Sequence, residues 1–148
     1  MNFAAPVFER PELTPMPVWL SFPQLVAKLG FNDHRLHLLE GLRRASIELR
    51  RSGCAAVYVG GSFTGSKEFP SDYDACFNPI GVAASLSPLL VEERYLSQRR
   101  SEYLGDWLIG RPDEGPPGYW YRFLAFDDRT GLPNTMFGVK LELAELTS

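Results

Sequence analysis

The residues best suited to chemistry lie in one stretch, VYVGGSFTGSKEFPSDYDACF, from Val57 to Phe77. Asp72 and Asp74 are separated by a single residue. On an extended strand side chains alternate between faces, so both carboxylates point one way while Tyr73, Ala75 and Phe77 point the other. The rise of a strand puts the two acidic Cα atoms roughly 6.5–7 Å apart. Two hard oxygen ligands so placed suit Mg²⁺, which takes carboxylates together with phosphate oxygens and water. Upstream, Gly60 and Gly61 open backbone conformations closed to other residues and let a phosphate approach the peptide N–H groups, and Ser62 adds a hydroxyl. If the intervening loop folds back, the two groups meet at neighbouring strand ends with a nucleoside triphosphate between them. Gly-Gly-Ser and Pro-Ser-Asp are also ordinary turn formers, so a plain interaction domain whose glycines only turn the chain stays open as a reading.

The elements that must position these residues follow from periodicity and breakers. Ser21 to Gln24 reads as a capping box, and Gly30 closes a short helix through SFPQLVAKLG. A longer helix runs from about Asn32 or Asp33 to Ser52, with Leu39, Leu42, Ser46 and Leu49 in one stripe and Gly53 at the stop position. CAAVYVG reads as a buried strand ended by Gly60-Gly61, and YDACF as a second strand. From Gly81 to Leu104 the pattern is helical, broken near Pro88. A short strand, DWLIG, begins at Asp106, and two further strands, YWYRFLAF and MFGVKLEL, close the chain. This order predicts an α+β domain: a single mixed β-sheet with helices mainly on one face. Residues 1–20 are Pro-rich and aperiodic and read as an N-terminal arm, leaving 21–148 as the domain.

Bulk properties narrow the function. A chain of 148 residues with 45% hydrophobic and 22% charged residues builds one globular domain. Its net charge of −3 argues against a binder that relies on bulk phosphate neutralisation. The two cysteines, Cys54 and Cys76, sit in apolar runs without metal-site spacing and read as buried, reduced thiols. The N-terminus lacks the pattern of a secretory signal, and no apolar run has the length of a membrane span, so the expected location is the cytoplasm with no membrane partner.

The Gly60-Gly61-Ser62 turn followed by Asp72-Tyr73-Asp74, each at the end of an apolar strand, resembles the signature of the polymerase-beta-like nucleotidyltransferase superfamily. With the helix Leu38 to Arg44 and the late segments FLAFDDRTG and GVKLEL, the pattern looks like a family of small uncharacterised bacterial proteins within it. The resemblance covers most of the chain beyond the arm. It implies that the Gly-Ser turn (Gly60, Gly61, Ser62) holds a triphosphate, that Asp72 and Asp74 bind two Mg²⁺ ions, and that a third carboxylate on a later strand helps activate an acceptor hydroxyl. The matching position is Asp106, which is equally a turn residue beside Gly105. Many members place a basic residue directly after the serine, whereas Phe63 stands there. Lys67 is the nearest substitute for phosphate contact, with a solvated loop lysine as the alternative reading.

Other residues carry less. Arg43, Arg44, Arg50 and Arg51 read as a solvated helix face, with a grip on tRNA or an acidic partner as the alternative reading, and Arg99 and Arg100 could approach the site from the helix preceding Asp106. His34 and His37, three apart at a helix start, read as surface or cap residues, and the aromatics of GYWYRF as sheet core. The expected activity is metal-dependent nucleotidyl transfer from a nucleoside triphosphate to a hydroxyl of a protein, RNA or small molecule. The acceptor protein or RNA would be supplied in trans, as in the superfamily's toxin–antitoxin pairs. The alternative is a catalytically silent relative that binds a nucleotide or a protein partner.

Overall fold

Local hydrogen bonding sets the helix starts. The computed structural model describes residues 17–77, 79, 81–83, 90, 92–109 and 134–147. The Gln24 N–H donates to the Ser21 hydroxyl at 3.2 Å, and the Ser21 N–H donates to the Gln24 side chain at 2.9 Å, a reciprocal box that opens helix α1, Phe22–Leu29. Asn32 caps helix α2, Asp33–Arg51, with its Oδ1 accepting from the Arg35 N–H at 2.8 Å. Asp33 in the first turn and Arg50 and Arg51 in the last complement the dipole of α2.

Five strands form one mixed, open sheet: β1, Val18–Leu20; β2, Ala56–Gly60; β3, Tyr73–Phe77; β4, Gly105–Ile109; and β5, Phe137–Lys140. Their spatial order is β1-β5-β2-β3-β4. The central pairs β5–β2 and β2–β3 are antiparallel, and the outer pairs β1–β5 and β3–β4 are parallel. Two further helices, α3 over Leu96–Tyr103 and α4 over Leu143–Leu146, complete the α+β domain among the described residues. Val57 and Val59 of β2, Tyr73, Ala75 and Phe77 of β3, and Val139 of β5 share one cluster with residues from all four helices. One sheet face is thus the core, and the strand alternation read from YDACF places Asp74 and Cys76 on the other. Cys54 and Cys76 are buried thiols, and burial pushes the Cys76 thiol up to about 12, which leaves it inert.

Three parts of the chain differ from the sequence reading or fall beyond it. Val18–Leu20, assigned to the arm, form an edge strand in parallel register with Phe137–Val139. Such a strand has no signal of its own, because its pairing is with residues far along the chain and its pattern is only three residues long. The segment MFGVKLEL stays extended only to Lys140, and Leu143–Leu146 turn into α4, where Leu146 is buried on the core. The strand expected over YWYRFLAF lies outside the described residues, as does the break near Pro88. No helix among the described residues is long and apolar enough to cross a membrane.

Helix α3 matters most for the site, because it leads into β4. Two bonds seat it: the Tyr73 hydroxyl donates to the Tyr103 carbonyl at 2.7 Å, and Trp107 Nε1–H donates to the Tyr73 hydroxyl at 3.0 Å. The end of α3 then lies directly on α2 at Gly41, where an added Cβ would stand 2.1 Å from the Tyr103 carbonyl oxygen. Backbone cannot retreat from that contact as a side chain can. Gly41→Ala should therefore destabilise the protein by about 1–2 kcal/mol, the overpacking cost outweighing a helix-propensity gain of up to about 1 kcal/mol. The urea midpoint measures it, and an unchanged or raised midpoint would refute the close packing of α3 on α2.

Candidate functional site

The strand ends bring the acidic residues together. In the β2–β3 register Gly60 faces Asp74, and in the β3–β4 register Asp74 faces Asp106. Paired strands lie about 4.8 Å apart, so Asp74 and Asp106 are cross-strand neighbours on the same face, with Asp72 one residue ahead of β3. Gly61 follows β2 directly and opens a single 3-10 turn, Gly61–Thr64. Its φ of 69° lies in the left-handed region, and a Cβ there would stand 2.5 Å from Asp74 Oδ2. Any residue but glycine would thus be both strained and pressed into the carboxylate. The glycine thus lets the Asp74 carboxylate lie directly against the backbone of the turn.

Ser62 is exposed within this turn, and the turn is pinned on both sides of it. The Thr64 hydroxyl lies 3.0 Å from the Gly61 carbonyl and 2.7 Å from the Thr135 carbonyl, sharing one proton between them. Phe63 is fully buried and packs against the Tyr73 ring at a centroid distance of 6.2 Å. The departure seen in the sequence therefore has a structural cause: the position after the serine is a core anchor, turned away from the Ser62 surface.

Sequence reasoning missed the residue that organises the connection. Arg35, on the first turns of α2, is fully buried, with its guanidinium 4.4 Å from the centroids of both Phe31 and Phe63. It donates to the Leu29 carbonyl at 2.5 Å, to the Lys67 carbonyl at 2.6 Å and to the Phe63 carbonyl. No carboxylate pairs with it among the described residues, and desolvation lowers its pKa. Asn32 Nδ2 donates to the Glu68 carbonyl at 2.7 Å, and His34 Nε2 lies 2.5 Å from the Pro70 carbonyl. The start of α2 thus holds the main chain of residues 63–70 and delivers Asp72 to β3. An arginine among apolar residues early in α2 is the only sequence signal, and it reads as any other helix surface residue. His34, read as a surface or cap residue, is instead half-buried and bonds to this distant loop, while Asn32 makes the cap. Lys67 gives its carbonyl to Arg35 while its side chain is exposed.

Electrostatics follow from crowding three acids. Burial pushes the Asp74 carboxyl up to about 6, reinforced by the charges of Asp72 and Asp106 and opposed by Arg100. Asp72 is also raised, first by burial and then by Asp106, against the pull of Arg100 and Lys67. Arg100 bonds Asp106 through two contacts, Nε to Oδ1 at 2.5 Å and Nη2 to Oδ2 at 3.1 Å. Of the two arginines read as approaching the site, Arg100 does so. Arg99 is buried instead and donates to the carbonyls of Trp107 at 3.2 Å and Glu92 at 2.9 Å.

By its chemistry the donor set, all oxygen and mutually repelling, is of the kind a hard divalent cation takes. Among the described residues no group of three or more His, Cys, Asp or Glu side chains is already drawn together as a metal-holding cluster. Asp106 is instead occupied by Arg100.

Two measurements check this description. Arg35→Leu strips three carbonyls of their donor and should cost roughly 3 kcal/mol or more. Amide exchange should accelerate over residues 63–70 well before global unfolding, and uniform exchange with an unchanged urea midpoint would refute the clamp. For Asp74, both folded and unfolded chains are protonated below about pH 3, and at pH 4 the difference between them is still small. As pH rises from 4 to beyond 6 the unfolded chain ionises first, so the site progressively costs stability across that window. In chelator-treated buffer Asp74→Asn should therefore match the parent at pH 4 and exceed it by about 1–2 kcal/mol at pH 7, the full effect being reduced by solvent at this half-buried site. Equal stabilities at pH 7 would contradict the crowding of the acids.

Comparison with known proteins adds a family whose function is unknown. No curated protein and no solved structure matches the chain. A family described as a family of unknown function, DUF6932, matches residues 6–139. That span includes the Gly-Gly-Ser turn and all three aspartates, and covers most of the chain: the protein belongs to the DUF6932 family.

Proposed function

We propose that this protein is a metal-dependent nucleotidyltransferase of the polymerase-beta-like type, moving a nucleoside monophosphate from a nucleoside triphosphate to a hydroxyl of a protein or RNA presented in trans. The observation that carries the reading is the register: Gly60, Asp74 and Asp106 stand side by side on three adjacent strands, with Asp72 next in line and no Cβ at Gly61. A triphosphate lying along the Gly60–Ser62 turn would place its α-phosphorus towards the acids, with the Lys67 side chain on the loop as a contact to the phosphate tail. Two Mg²⁺ ions, held by Asp72, Asp74 and Asp106, would supply charge neutralisation and lower the pKa of the acceptor hydroxyl. The acceptor oxygen forms a bond to the α-phosphorus as the bond from that phosphorus to the α,β-bridging oxygen breaks. Pyrophosphate leaves with that electron pair, and the acceptor's proton passes to the Asp106 carboxylate. The acids' cost to stability is consistent with this use, since groups kept for chemistry often oppose folding.

One observation favours a second reading, a silent relative that binds nucleotide without turnover: Asp106 already has a cationic partner in Arg100. The two separate in one assay. With labelled nucleoside triphosphates, Mg²⁺ and total RNA and protein from the source cell, the enzyme should release pyrophosphate and label an acceptor. The Asp72→Asn, Asp74→Asn double variant should fall to background while staying folded. Nucleotide-dependent stabilisation without labelling would support the silent relative, and neither effect would leave only an interaction domain.

A further inference from the structure

Arg99 and Arg100 are consecutive residues of α3 with opposite situations. Arg99 is buried and tied to main-chain carbonyls at Trp107 and Glu92, and with the Tyr73–Tyr103 bond it already fastens α3 to the sheet. Arg100 is not needed as a second clasp. Its side chain is 53% exposed, and its partner Asp106 keeps 23% of its side-chain surface. An ion pair this open to water contributes little to stability and exchanges partners readily. Its position is nonetheless specific, because Asp106 is the cross-strand neighbour of Asp74 and the guanidinium's charge reaches Asp72 and Asp74 as well. A guanidinium fork fits a phosphate as well as a carboxylate.

We infer that Arg100 is a resident counter-cation for the carboxylate cluster, competing with a divalent cation for Asp106 and passing to a polyphosphate once that cation is seated. The inference rests on the reading of Asp72, Asp74 and Asp106 as cation ligands and adds to it a positioning residue with two alternating partners. In the resting protein Arg100 neutralises part of the crowded charge. With cation and polyphosphate present, Asp106 is released and the fork closes on phosphate oxygens. Binding of the two ligands is thereby coupled: a cation alone must displace Arg100, whereas a cation with polyphosphate gives it a new partner.

The test is direct binding to the full chain, without turnover. Mn²⁺ is titrated by the resonance of the free ion, alone and then with inorganic triphosphate, into the parent, Arg100→Ala, Arg100→Gln, Arg100→Lys, Asp106→Asn, the Arg100→Ala, Asp106→Asn double variant, and the Asp72→Asn, Asp74→Asn double variant. Arg100→Ala and Arg100→Gln should bind Mn²⁺ alone about three- to tenfold more tightly than the parent, with Arg100→Lys nearer the parent. The gain should vanish on an Asp106→Asn background. With Mn²⁺ seated, the same two neutral variants should bind inorganic triphosphate several-fold more weakly. Unchanged or weaker Mn²⁺ binding in both neutral variants, or undiminished triphosphate affinity, overturns the inference and makes the pair a surface contact. The site reading survives that result if Asp72→Asn with Asp74→Asn still weakens Mn²⁺. If the parent and the Arg100 variants all fail to bind Mn²⁺, the site reading falls and this inference with it. Urea unfolding of each variant confirms that a lost signal is not lost structure, and Arg100→Gln serves where Arg100→Ala fails to fold.

Discussion

A buried guanidinium that donates to main-chain carbonyls holds the connection between β2 and β3 in place. Arg35 sits between two aromatic faces and donates to main-chain oxygens of Leu29, Phe63 and Lys67. Burying a cation is expensive unless hydrogen bonds replace its hydration, and here the replacement comes from the backbone of the loop itself. The chain between Phe63 and Lys67 is therefore tied to the end of α1 and the start of α2 by one side chain. Without it, a polar loop rich in Gly, Ser, Lys and Glu has little apolar surface with which to choose a path. Phe63 and Phe69 show the contrast, one fully buried under Arg35 and the other 66% exposed on the same loop.

The clamp works because the sheet beneath it has two unlike faces. Period-two alternation in β3 sends Tyr73, Ala75 and Phe77 into the core and Asp74 to the far side. Tyr73 is the hinge between the two functions: its ring packs over Gly105, where an added Cβ would meet ring carbons at 2.4 Å, and its hydroxyl links Trp107 to the end of α3. A core residue of β3 thus sets the register of β4 and with it the position of Asp106 opposite Asp74. Packing on one face determines which carboxylates are neighbours on the other.

This division explains what could be read in the sequence. The capping box at Ser21, the helix from Asp33, and strands β2 and β3 depend on local signals, and they stand where those signals put them, except that β2 begins at Ala56, two residues into CAAVYVG. Asp106 was legible as the head of a strand, though the strand begins one residue earlier at Gly105. The edge strand Val18–Leu20 and helix α4 were not legible, because each is fixed by contact with distant residues and is too short to show a period. Arg35 escaped for a related reason. A charged residue on a helix reads as solvated, and only the fold brings three carbonyls to meet it. The role of Phe63 was half visible: its misfit with the superfamily pattern could be seen, but its burial beneath Arg35 could not.

Arg35 and Arg100 divide the cationic work near the loop in opposite ways. Arg35 is enclosed, its fork filled by main-chain oxygens, so its geometry is the fold's geometry. Arg100 lies at the surface and bonds a carboxylate that is also crowded by two others. A protein that needed only to neutralise three acids would gain more from an enclosed partner. An open one gives up stability and keeps the ability to exchange. Where local rules are broken and the compensation is left weak, the arrangement accords with the proposed cation site and is not accounted for by the folding of the chain alone.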